Sequence, residues 1–68
     1  MKNLGETIKA ARIEKNLTQP QLAKIVGVSA GMISIWENNI NEPKASYIKA
    51  LAAALDISAD YLLGLSDY

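Results

Sequence analysis

Cysteine and histidine are both missing from this 68-residue chain. Without cysteine there is no disulfide staple and no thiolate metal site. Without histidine the commonest general base and metal ligand is gone. No paired-carboxylate constellation or phosphate-cradling glycine loop fills the gap, so neither an enzyme nor a metal or cofactor is expected. No hydrophobic run is long enough to cross a membrane, and no apolar signal-peptide core opens the chain. The expectation is a cytoplasmic protein with no membrane attachment. Charge of either sign is not in excess: seven lysines and arginines face seven carboxylates. A global attraction to nucleic acid is therefore absent.

The charge is unevenly placed, however. Residues 1–34 hold Lys2, Lys9, Arg12, Lys15 and Lys24 against Glu6 and Glu14, five against two, a net +3. Residues 35–68 hold Lys44 and Lys49 against Glu37, Glu42, Asp56, Asp60 and Asp67, two against five, a net −3. A dipolar molecule can offer phosphate a locally positive face, although no cluster here exceeds two or three residues.

Half the residues are hydrophobic, enough for one domain near the lower size limit for a single unstapled core. Their spacing reads as five helices and no strand, an all-α chain. Asn3 with Glu6 three residues on suggests a capping box for a first helix through Leu4, Ile8 and Ala11 to Lys15-Asn16. Thr18 with Gln21 suggests a second box, and Pro20 is tolerated in a first helical turn. Leu22, Ala23 and Val26 follow at helical spacing before Gly27, a C-terminal cap. Val28 bridges the turn, Ser29 caps a third helix, and Ile33 and Trp36 supply its inward face. Asn38-Asn39 ends that helix, because asparagine tolerates the left-handed conformation. Pro43 is expected to open a fourth helix carrying Tyr47, Ile48, Leu51, Ala52 and Leu55, closed by Asp56. Ser58 caps a short fifth, with Asp60 at its positive end and Gly64 at its exit. The expected domain spans 1–64, with 65–68 a tail or the start of a linker.

Two helices folded over a glycine-containing turn of three or four residues describe a helix-turn-helix, whose second helix enters the DNA major groove. Arg12 and Glu37 fall on apolar helix faces, four residues after Ile8 and Ile33. A charge aimed at a core requires a partner, so these two are expected to pair. Trp36, Ile33, Leu22, Ile48, Leu51 and Leu62 are the expected core, with Tyr61 semi-buried beneath the turn between helices 4 and 5.

The order and spacing of many positions resemble the phage-repressor and Cro type of helix-turn-helix domain (XRE-like, lambda-repressor-like). They comprise Arg12, L-T-Q-x-x-L-A from Leu17 to Ala23, G-V-S from Gly27 to Ser29, I-S-x-W-E from Ile33 to Glu37, Pro43 and the closing D-Y-L-L-G. The resemblance covers almost the whole chain. It implies a compact five-helix domain that binds double-stranded DNA sequence-specifically, usually as a homodimer on a pseudo-palindromic operator, to control transcription. It also implies a structural Arg12–Glu37 ion pair.

By the same resemblance the DNA interface comprises Gln19, Ser29, Ala30, Gly31, Ser34, Ile35, Asn38, Asn41 and Lys44. Gln19 gains independent support from its place beside unpaired N–H groups at a helix start, where phosphate binds well. The outward face of helix 3 departs from the family, which usually carries glutamine, serine, arginine or lysine there. This chain has no arginine or lysine for guanine and no glutamine for adenine. Ala30 and Ile35 can touch thymine methyls, Ser34 makes one undiscriminating bond, and Asn38 reaches a phosphate. A bias to A·T-rich sites follows, read partly through DNA shape. In the loop around Pro43, relatives often place two or three basic residues; here Lys44 is opposed by Glu42.

A homodimer surface is expected around Ile57, Leu62 and Leu65, with Leu65 and Tyr68 exposed in a monomer. The alternative is an interaction module, such as an antitoxin, in which Ile35, Met32 and Ile40 form an exposed apolar patch for a protein partner at helix 3.

Overall fold

The computed structural model describes residues 3–65 and contains five helices: α1 (Leu4–Glu14), α2 (Gln19–Val26), α3 (Ala30–Glu37), α4 (Ala45–Leu55) and α5 (Ala59–Leu62). Three of the starts follow the sequence-level caps. Thr18 Oγ1 accepts from the Gln21 N–H at 3.2 Å while Gln21 Oε1 accepts from the Thr18 N–H at 2.8 Å, a complete capping box. Ser29 and Ser58 accept from the N–H groups of Met32 and Tyr61. Each such cap stabilises its helix by about 1 kcal/mol.

All five helices leave through a residue with positive φ: Asn16, Gly27, Asn39, Asp56 and Gly64. The next residue then donates its N–H back into the last turn. Leu17 bonds to the Arg12 carbonyl, Val28 to Ala23, Ile40 to Ile35, Ile57 to Ala52 and Leu65 to Asp60, at 2.8–3.1 Å. This is the Schellman pattern, in which an apolar residue follows the left-handed one and packs back on the helix.

Two helix starts differ from expectation. Asn3 makes no side-chain cap bond, because its φ of 67° is left-handed rather than the extended conformation an N-cap needs. Its place is taken by Asn39, distant in sequence: Asn39 Oδ1 accepts from the Gly5 N–H at 3.0 Å, and Asn39 Nδ2 donates to Glu6 Oε1 at 2.7 Å. Pro43 does not open α4 but lies buried two residues before it, and extended Lys44 stands at the N-cap.

The core is Leu4, Ile8, Leu22, Ala23, Ile33, Trp36, Ile48, Leu51, Ala52, Leu55 and Leu62. Trp36 stacks at a tilt on Tyr47, ring centroids 5.3 Å apart, joining α3 to α4. Gly5 marks the tightest approach. A Cβ there would lie 2.5 Å from the Glu37 carbonyl oxygen and 2.6 Å from that of Trp36. Thus α1 rests directly on the end of α3, and the orientation of α3 is set from below.

Candidate nucleic-acid interface

Beneath α3 sits a charge network that locks three helices. Glu37 is buried, and its Oε2 accepts from Arg12 Nε at 2.6 Å while Oε1 accepts from Arg12 Nη2 at 3.2 Å. Arg12 Nη1 donates to the Leu17 carbonyl at 2.8 Å, closing the α1–α2 turn. The two-pronged geometry and low exposure (11% and 2% for the side chains) make this a fixed strut rather than a surface contact. Among the described residues no buried side-chain polar atom lacks a partner.

Gln19 is part of that strut. Its Nε2 donates to Glu37 Oε1 at 3.0 Å, so this half-buried side chain is not the freely solvated glutamine of an isolated helix start. One amide hydrogen is committed inward, on a residue at the α2 N-terminus, a kind of position that attracts anions.

On the outer side of α3, Gly31 and Asn38 are exposed while Ala30, Ser34 and Ile35 are half-buried. Asn38 turns its amide back on its own helix, with Nδ2 donating to the Ser34 carbonyl at 2.9 Å and to Ser34 Oγ at 3.3 Å. Ser29 is the α3 N-cap, and its hydroxyl is engaged with the Met32 N–H. Asn41 and Lys44 lie exposed in the connection to α4. The outer face of α3 itself is therefore smooth, short-chained and free of formal charge, its polar groups partly occupied by one another and Lys44 the flanking cation.

The expected apolar patch is smaller than the sequence suggests. Ile35 packs against the core and only half emerges, whereas Ile40 is 67% exposed. Leu62, expected at a dimer surface, is 1% exposed and belongs to the core of the single chain, because α5 turns that residue inward against α4. Ile57 is half-buried and Leu65 is exposed; Tyr61 is exposed rather than tucked beneath the turn. Tyr68 lies outside the described residues.

Asn39 escaped sequence reasoning as a functional position. Its signal was a second asparagine at a helix exit, but its partners Gly5 and Glu6 are more than thirty residues away. Glu6 has its carboxyl held below the usual range, first by the Asn39 hydrogen bond and then by its own backbone N–H. An open groove between α1 and the α4–α5 turn bears Glu6, Glu14 and Asp56 with Lys15. That acidic lining repels phosphate. No group of acidic side chains among the described residues has the geometry to hold a metal ion, and none of their helices is long and apolar enough to cross a membrane.

Comparison with known proteins agrees with this geometry. Residues 8–62 match the helix-turn-helix family model HTH_3. The chain is 45% identical over 60 residues to Repressor protein C2 of Salmonella phage P22, covering 88% of this chain and 28% of that protein. It is 44% identical to the HTH-type transcriptional repressor RghR of Bacillus subtilis, covering 100% of this chain and 51% of the relative. It thus spans about half or less of these relatives. The P22 c2 repressor solved in complex with a synthetic operator superposes with a TM-score of 0.88 at 43% identity, over 93% of this chain and 96% of that one. SinR, solved in complex with DNA, superposes at 0.82 with 33% identity over 88% and 97% of the two chains.

Proposed function

The chain belongs to the HTH_3 helix-turn-helix family, and we propose from that premise that it is a sequence-specific, DNA-binding transcriptional regulator of the repressor type. The family is one of DNA-binding regulators, not of enzymes. The observation that carries the reading is the α2–turn–α3 unit, rigidly held by Arg12, Glu37 and Gln19 beneath an outward α3. In this reading α3 lies in the major groove of double-stranded DNA, with Ala30, Gly31, Ser34 and Ile35 toward the base edges. Gln19, Ser29, Asn38, Asn41 and Lys44 flank it toward the backbone. Two copies act as a homodimer on a pseudo-palindromic operator, their α3 helices about 34 Å apart in successive grooves. The setting in this reading is the cytoplasm.

Selection of sites from random duplexes at two salt concentrations tests this. A recurrent two-fold-symmetric sequence is expected, and absence of any preference at low salt would overturn the proposal. With so few cations at the face, log K should fall shallowly with log[salt], by about 0.9 per phosphate neutralised. The competing reading, a protein-binding scaffold of the antitoxin kind, draws on exposed Ile40 and Met32. Gly31→Arg separates the two, since a Cβ at Gly31 meets only open space near Ser29 Oγ at 3.8 Å. The arginine should tighten DNA binding if α3 faces a groove and block a protein partner if it faces one.

A further inference from the structure

Glu6, Ala10 and Glu14 stand four residues apart on α1 and so share one face of that helix. The proposed DNA contact uses none of them. Their face forms one wall of the open groove whose other wall, the α4–α5 turn, supplies Asp56, Ile57 and Tyr61. The groove has a volume of about 950 Å³ and takes no lining residue from α2, α3 or the connection to α4. An occupant there touches none of the residues assigned to DNA.

The floor of the groove is apolar and low. Ala10 and Ala11 offer only methyl groups, Ile57 is half-buried and Tyr61 is 39% exposed. The rim is charged. Glu6 stands at one end of the α1 wall and Glu14 at the other, about 12 Å apart along the helix axis, with Asp56 opposite. Glu6 accepts from Asn39 Nδ2 at 2.7 Å, a bond that favours its ionised form. Lys15 reaches Asp56 only at 3.4 Å, and the Asp56 side chain remains 84% exposed. Three carboxylates therefore share one lysine around an apolar strip.

Charge complementarity selects the occupant. The rim repels nucleic acid and an anionic lipid surface. A second copy paired by two-fold symmetry would lay the same carboxylates against each other. A small molecule would stay largely in water, because the groove is open along its length rather than closed around a ligand. A helix laid in the groove meets every requirement: an aliphatic side chain covers the alanines, and cations two turns apart reach the two glutamates.

We propose that the groove between α1 and the α4–α5 turn is a docking surface for a basic amphipathic helix of a protein partner. Lysine or arginine at i and i+7 of that helix pairs with Glu6 and Glu14, and an aliphatic residue midway sits over Ala10 against Ile57 and Tyr61.

The test titrates the 68-residue chain with a synthetic alanine-based peptide, cross-linked to hold its helix, carrying lysine at i and i+7 and leucine at i+4. Backbone amide shifts are the readout. Saturable shifts confined to α1 and residues 55–61 are expected. The same peptide with glutamate in place of both lysines should bind about tenfold more weakly. Glu14→Lys, altered at an exposed residue, should narrow or reverse that preference. Ala10→Arg, also at an exposed helical position, should fill the groove and abolish binding of the lysine peptide. No saturable binding, equal binding of the two peptides, or shifts centred on α2 and α3 would each overturn the inference. A dimer in sedimentation that Ala10→Arg converts to monomer would give the groove to a second copy and overturn it as well. None of these outcomes bears on the regulator reading, which site selection tests separately.

Discussion

Glu37 is the residue on which the rest of the site hangs. Its carboxylate holds Arg12 from α1 and Gln19 from α2, and it is 6% exposed. Removing one partner of a buried pair leaves the other charge without water or counterion. Glu37→Gln keeps the volume and removes the charge, so it is expected to cost about 3 kcal/mol, read as a lower urea midpoint with unchanged slope. A variant as stable as the parent would mean that the Leu17 carbonyl and the amide oxygen left at position 37 suffice for Arg12. Glu6 allows a second prediction. Its folded pKa lies below the ordinary glutamate value of 4.5, so its contribution is present above that value and is lost as pH falls through the folded pKa. The thermal midpoint should therefore drop as pH is lowered below about 4.5. Asn39→Ala should flatten that part of the profile, because the Asn39 amide is the first cause of the shift. A parallel profile in the variant would place the acid sensitivity elsewhere. Arg12 and Glu37 were legible in sequence because each sits four residues from a core isoleucine. The hold of Asn39 on Gly5 and Glu6 was not, because it depends on how closely α1 and α3 approach.

At the scale of elements, two glycines in one helix-turn-helix should respond to alanine with opposite signs. Gly27 has φ of 88° with open space around its Cβ position, so its role is conformational. Gly27→Ala should destabilise by about 1–2 kcal/mol, the cost of forcing an L-residue into the left-handed region. Gly31 lies inside α3, and its added Cβ would meet only Ser29 Oγ at 3.8 Å. Gly31→Ala should stabilise by up to about 1 kcal/mol through helix propensity. Thermal unfolding of the pair checks both, and a shared sign would refute the assignment of their roles. Local chemistry explains why the middle of the chain was readable: Thr18, Gln21, Ser29 and Ser58 act within three residues of themselves. It also explains the errors at the edges. A capping box was read at Asn3 and Glu6 from spacing alone, but the backbone at Asn3 turns left-handed and Glu6 bonds across the fold. Pro43 fits a helix start by type, yet it is buried and the chain stays extended through Lys44. Leu62 is expected from sequence both in the core and at a dimer surface, and its 1% exposure places it in the core.

For the whole molecule the decisive quantity is how little surface it has to share. The accessible area is 4365 Å², and a stable dimer buries about 800 Å² per partner, roughly a fifth of that. The apolar side chains near the exit of α5 are half-buried Ile57, Tyr61 at 39% and Leu65 at 75% exposure, with Asp56 and Asp60 close in sequence. Like charges around so small an apolar contact oppose free association. The opposed charge of the two halves gives no compensating grip either: the Arg12–Glu37 bridge is buried within the protomer, and the exposed bridge, Lys15 to Asp56 at 3.4 Å, is largely solvated and worth little. The 68-residue chain is accordingly expected to sediment as a monomer at micromolar concentration. On a two-half-site duplex the second copy is held nearby at an effective concentration of about millimolar, and a weak contact then matters. Leu65→Asp should leave the monomer's mass and its binding to a single half-site unchanged. It should weaken binding to the two-half-site duplex by about tenfold, the equivalent of roughly 1.4 kcal/mol of lost contact. Sedimentation and paired titrations on the two duplexes measure this directly. An equal loss on both duplexes would show that Leu65 acts within one protomer, and no loss on either would move the dimer contact away from the exit of α5.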